Sequence, residues 1–144
     1  MAKQTRHLSH ELHPARLEIL GFTGALRALC SDFSRLRVLG VEVAIHSEID
    51  RFLSSSMAIG LYRIAQEALQ NVASHSGVEQ ARLQVRSWRG VAWLSIEDQG
   101  IGWDSDVVKP GLGLVSMRER AALLGGELQI ETSPGDGAQV SVTI

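Results

Sequence analysis

Glu67, Asn71 and His75 fall four residues apart in a stretch, 61–75, that is otherwise rich in Leu, Ile, Ala and Val. In a helix that spacing stacks three polar groups along one face, while Ile64, Ala68 and Val72 turn toward the other. Asparagine is an awkward choice for a helix interior, because its side chain competes with the backbone for hydrogen bonds. Its amide oxygen, however, is a neutral hard ligand that suits Mg2+ when water and substrate phosphates complete the shell. A solvated polar stripe would show the same spacing, so this helix alone assigns nothing.

Three glycine-bearing segments offer complementary chemistry. Asp98-Gln99-Gly100-Ile101-Gly102 follows directly on the apolar run 91–96. A carboxylate at the inner end of a strand can accept a hydrogen bond from an exocyclic amine such as that of adenine. The glycines beside it let the backbone approach a flat ring. Gly111-Leu112-Gly113-Leu114 opens a helical stretch, where unpaired amides and the positive end of the helix dipole favour a phosphate chain. Pro134-Gly135-Asp136-Gly137-Ala138 is a tight connection before the last strand. Taken singly, these are a turn, a helix start and a hairpin. Their order is what carries information.

The elements that must hold these groups follow from periodicity. Residues 7–37 read as helical, with Leu17, Leu20, Ala25, Ala28 and Leu29 near helical spacing. Pro14 predicts a break, since it has no amide proton to donate. Alternation over 40–46 predicts a first strand. Ser54-Ser55-Ser56 caps a helix over about 56–74, and Gly77 lies just past its end. Strands over 80–88 and 91–98 flank Arg89-Gly90, a hairpin-length link. An irregular segment, 99–111, leads into a helix over about 113–124 that stops at Gly125-Gly126. Strands over 127–132 and 139–144 follow. This order predicts an α/β (α+β) sandwich: a mixed, largely antiparallel sheet with helices on one face, preceded by an N-terminal helical segment.

Read together and in order, the four segments resemble the N box and the three G boxes of the GHKL superfamily, whose members share the Bergerat ATP-binding fold. The resemblance runs over 41–144. Tyr62-Arg63-Ile64-Ala65-Gln66-Glu67-Ala68-Leu69-Gln70-Asn71-Val72 and Gly111-Leu112-Gly113-Leu114-Val115-Ser116-Met117-Arg118-Glu119-Arg120 are similar in wording to sensor histidine kinases of the nitrate-sensor type. So is the short lid between Trp103 and Gly111. Leu12-His13-Pro14 and Ile19-Leu20-Gly21-Phe22 resemble the second helix of that family's dimerisation and phosphotransfer domain. The resemblance implies a helical segment over 1–37 and an ATP-binding catalytic domain over 38–144.

It also implies roles. Asp98 binds the adenine amine, with Gly100 and Gly102 shaping the purine pocket and Gly135 and Gly137 fixing its floor. Asn71 holds Mg2+ that bridges the phosphates, and Glu67 orients water or assists proton movement at the acceptor. Gly111 and Gly113 cradle the phosphates through their amides, with His75 and Arg118 as phosphate neighbours. Two positions depart from the pattern. Ser74 stands where many relatives have lysine, and Ala138 where the superfamily usually has a threonine near the adenine.

The implied reaction is transfer of the γ-phosphoryl group of MgATP to a histidine outside this chain, on an acceptor helix of the parent kinase. A response regulator receiver domain and homodimerisation of the intact kinase follow from the same resemblance. His10-Glu11 imitates an acceptor dipeptide, but its surroundings match the later helix. His10-Glu11-Leu12-His13 has the wrong spacing for a zinc protease, which needs its second histidine where Pro14 sits. Net charge is −2 over 144 residues, so no basic field argues for nucleic acid. One cysteine, Cys30, fits a reducing cytosol, and no run of about 18 apolar residues suggests a span. The expected location of this region is cytoplasmic, whether or not the parent is membrane-bound. Rival readings are another GHKL ATPase or serine kinase, and a degenerate nucleotide-binding module without transfer.

Overall fold

The computed structural model describes residues 2–36, 39–46, 48–51, 53–75, 77–102 and 112–144, with backbone alone for 2–14, 75 and 112. Alternating side chains build its sheet. β1 (Gly40–Ile45) pairs in parallel with β2 (Gln80–Trp88), which pairs antiparallel with β3 (Val91–Asp98). β4 (Glu127–Thr132) and β5 (Ala138–Thr143) form an antiparallel pair, and β5 joins β3, giving the order β1-β2-β3-β5-β4. Ala81, Leu83 and Val85 of β2 are buried while Arg82 and Arg86 are exposed; Leu94, Ile96 and Asp98 of β3 are buried in the same way. One face is therefore apolar and must be covered. Arg89 and Gly90 both take positive φ, 48° and 78°, which a two-residue hairpin of matching twist requires.

Helices cover the apolar face. α1 (Ala2–Arg35) packs over β1, α2 (Ser55–His75) over β3, and α3 (Leu112–Leu123) beside α2 and β4. Leu26, Leu29, Tyr62, Leu69, Leu83, Leu94, Ile96 and Met117 meet in one core. Each buried aliphatic there contributes about 1.5–3 kcal/mol relative to exposure. α2 starts where the serines predict. The Ser54 hydroxyl accepts the Met57 amide at 3.2 Å, a cap worth about 1 kcal/mol. Among the described residues, no helix is long and apolar enough to cross a membrane.

The expected break at Pro14 is not where the first helix is interrupted. Helical backbone runs through residue 14, and the break falls at Gly21, with φ 73° and ψ 177°. Proline's own φ is helical, so it removes a hydrogen bond without forbidding continuation; a φ of 73° is closed to most other residues but open to glycine. The helical residues before the expected boundary at 37/38 contribute to the core. Phe22, Ala25, Leu26, Leu29 and Cys30 are buried in the same cluster as the sheet.

Candidate nucleotide-binding site

Strand β3 ends on Asp98, a residue only 7% exposed. Oδ1 accepts the Gly100 amide at 2.8 Å, which turns the chain immediately after the strand. Burial pushes the Asp98 carboxyl above its usual range, and the Gly100 amide partly offsets this. A buried carboxylate with one oxygen turned to the backbone can use the other toward a ligand donor.

The loop after Asp98 is locked to the turn before β5. Gly135 donates its amide to the Ile101 carbonyl at 2.7 Å. A methyl group on Gly102 would overlap the carbonyls of Ser133 and Gly137, and one on Gly137 would overlap the Asp98 carbonyl. Two backbones pass too close for any side chain, so glycine is demanded by space as well as by positive φ. Across the strands, Ala138 pairs with both Asp98 and Thr132. The Thr132 hydroxyl donates to the Gly137 carbonyl at 2.9 Å, beside the position where Ala138 lacks a hydroxyl.

Helix α2 joins this cluster to a second one. Past its C-terminal end, Gly77 lies against Ile101, a methyl there standing 4.0 Å from Cγ2. Further back along α2, Glu67 rests on the first turn of α3: a methyl on Gly113 would come within 2.5 Å of Glu67 Oε1. Asn71, half-buried, lies one helical turn from Glu67 on the way to Gly77. Eight residues separate Glu67 from His75 at the end of α2, about 12 Å along the axis. An extended ligand can therefore lie along α2 with a ring at Asp98 and anionic groups at the α3 N-terminus. Among the described residues no group of three His, Cys, Asp or Glu could hold a metal alone. A cation carried in by phosphates, with Asn71 as a protein donor, suits that donor set.

Some expected residues stand elsewhere. Arg118 donates to the Leu128 carbonyl at 3.4 Å, toward β4. It lies about 140° around α3 from Gly113, on another face. Arg120 is seven positions from Gly113 and so shares its face within about 20°. Its guanidinium, lowered by burial first and by Arg63 next, feels Glu67 as its favourable charge. Gly111, the lid before it, the His75 side chain, and the His7, His10 and His13 side chains lie outside the described residues.

A hollow of about 450 Å3 borders Asp98 from the end of the sheet and is lined also by Glu97, Glu131 and Asp136. Three further carboxylates would repel a polyphosphate there.

Residues 57–144 match the family described as histidine kinase-, DNA gyrase B- and HSP90-like ATPase, more than half of the chain. The chain belongs to that family of ATP-binding domains. It is 39% identical over 136 residues to the sensor histidine kinase MctS of Rhizobium johnstonii, covering 91% of this chain and 29% of that protein. It is 33% identical over 138 residues to the histidine-protein kinase/phosphatase UhpB of Salmonella typhimurium, covering 95% of this chain and 27% of that one. DegS of Brevibacillus brevis is 30% identical over 142 residues, covering 98% of this chain and 36% of its own. Within the family, then, the chain is an ATP-binding catalytic domain of the sensor histidine kinase kind, and it spans about a third of the relatives it matches. The fold agrees: the histidine kinase domain of the blue-light activated kinase from Erythrobacter litoralis superposes with a TM-score of 0.78 at 20% identity, covering 94% of this chain and 70% of that one.

Proposed function

We propose that this domain grips MgATP along α2 and presents its γ-phosphoryl group to a histidine nitrogen on an acceptor helix of the parent kinase. The observation that supports this best is the seating of α2 on α3, with the Glu67 side chain filling the space above Gly113. Asp98 accepts from the adenine amine, and Gly100, Gly102, Gly135 and Gly137 hold the backbones that frame the ring. The α3 amides at Gly113, together with Gly111, receive the phosphates. Asn71 supplies an oxygen to Mg2+, whose chemistry when bound is to neutralise charge on the phosphates. Arg120 faces Glu67 from α3 and balances its charge. Glu67 then orients the acceptor or takes its proton. Transfer of this kind relies on positioning more than on covalent help.

The acceptor helix, a cognate receiver domain and dimerisation belong to the parent protein on this reading. On this reading the core of the catalytic domain over 38–144 is completed by residues 22–30 of the helical segment, which are buried in the same cluster. Titration calorimetry tests the proposal. MgATP should bind, Asn71→Ala should lose the magnesium-dependent part of the affinity, and Asp98→Asn should lose adenine discrimination. No heat at millimolar nucleotide would sink it and favour a non-catalytic module. That rival draws on Ala138, which puts a methyl group directly across from Asp98.

A further inference from the structure

The first helix bends back at Gly21, and both sides of the bend are tied to the core. In an unbroken helix the Cα atoms of Arg16 and Asp32 would stand about 24 Å apart. Instead the two side chains form an ion pair, each only 19% exposed. Tyr62 of α2, a residue with no exposed surface, lies close enough to Arg16 to influence its charge. At the bend, Asp50 arrives from the short 3-10 helix Ile49–Arg51. Its Oδ1 accepts both the Thr23 amide, at 3.1 Å, and the Thr23 hydroxyl, at 3.0 Å. This caps the helix that restarts after Gly21.

Among the arm's described side chains, residues 15–20, Leu17 packs on the core, whereas Ile19 and Leu20 face outward at 80% and 49% exposure. Arg16 is tied to the helix beyond the bend by its ion pair.

We propose that the Arg16–Asp32 pair is a clasp that holds the N-terminal arm, residues 2–20, in one bend against the catalytic core, that Asp50 fixes the bend by capping the helix restarted after Gly21, and that breaking the clasp frees the arm to swing about Gly21. An ion pair shielded this far from water is stronger than a surface pair, yet both charges regain full hydration once apart. Such a contact suits a device that opens. If the arm leads toward the acceptor histidine, the clasp sets the distance between cleft and acceptor. That consequence rests on the proposed function; the clasp itself does not.

Spin labels at Ile19→Cys and Gln129→Cys test it in the whole chain by pulsed electron resonance. Cys30 is buried, its thiol pushed up to about 12, and stays unlabelled under mild conditions. One narrow distance distribution is expected. Arg16→Met should broaden it at least twofold, and Asp32→Asn, which breaks the pair from the other side, should do the same. Asp50→Ala should broaden it through the bend. A broad distribution in the unaltered chain, or a narrow one that survives all three changes in folded protein, overturns the clasp. Binding of a fluorescent ATP analogue is read on the same samples. A clasp that fails while nucleotide binds leaves the proposed function standing, and the reverse outcome leaves the clasp standing.

Discussion

The Glu67 carboxylate occupies the space above Gly113 that any larger residue would need, so the polar face of α2 and the first turn of α3 fit together only with glycine at 113. The same two helices touch again further along, where a methyl on Gly60 would run into Leu124 at 2.5 Å. Small residues at both points let α2 and α3 lie close and antiparallel. Near Glu67 the space above Gly113 is filled by the Glu67 side chain. A phosphate-binding helix start is useful only if its distance from the metal-binding residue is fixed.

Replacing Gly113 by alanine should separate stability from binding. Alanine favours a helix by up to about 1 kcal/mol over glycine, which offsets much of the clash because Glu67 is long enough to swing aside. Thermal melts should move by no more than a few degrees. Nucleotide affinity should fall about tenfold, roughly 1.4 kcal/mol, because Glu67 and the α3 amides no longer share one geometry. A variant that binds as the parent does would show that this contact is packing alone.

The interlock between the two loops gives a paired test. Gly137→Ala drives a methyl into the Asp98 carbonyl at a φ of 74°, whereas Gly135→Ala, at a φ of 82°, meets nothing within 4 Å. The second pays only for strained φ, about 1 kcal/mol, while the first adds a backbone displacement and should cost about 3 kcal/mol or more. Urea denaturation midpoints measure the difference. Equal losses would mean that the turn and the Asp98 loop are not in fact locked.

Most of the fold was legible because strands and amphipathic helices announce themselves locally. The alternation in 80–88 and 91–98 is set by which residues must be buried, and the structure has β2 and β3 over those spans. Ser54 was readable as a cap because its partner, Met57, is three residues away. Gly21 was not readable as a break. Its cap, Asp50, is 27 residues from Thr23, and a glycine in a helical pattern looks tolerable until something distant stabilises the turn. The direction Arg118 takes was not readable either: motif wording does not say how α3 is rotated, and in the structure Arg118 turns toward the Leu128 carbonyl of β4.

Asp98→Asn should raise stability while it removes ligand recognition. The folded state holds the Asp98 proton more tightly than the unfolded chain does, since burial raises its carboxyl. Ionised at neutral pH, the group therefore penalises folding, and the penalty fades as pH drops through its folded value. The asparagine oxygen can still accept the Gly100 amide. Urea melts should show the variant more stable near pH 7 and the two proteins converging in acid. A gap that stays constant with pH would mean that the carboxylate bears no such penalty.

Whether residues 22–35 belong to the catalytic unit can be read from Cys30, the one cysteine in the chain. Its thiol is 3% exposed and burial pushes it up to about 12, so at pH 8 it is scarcely nucleophilic in the folded state. Modification by a disulfide reagent then requires opening. If these residues share the core with the sheet, the opening that exposes Cys30 is global unfolding, and the labelling rate should track the unfolding equilibrium across a urea series. Leu26→Ala, a cavity beside it in the same core, should cost about 2–5 kcal/mol and speed labelling by the matching factor. A segment that peeled away alone would label at a rate indifferent to Leu83→Ala, a change in the sheet on the far side of that core. Coupled rates for both variants are the outcome this packing requires.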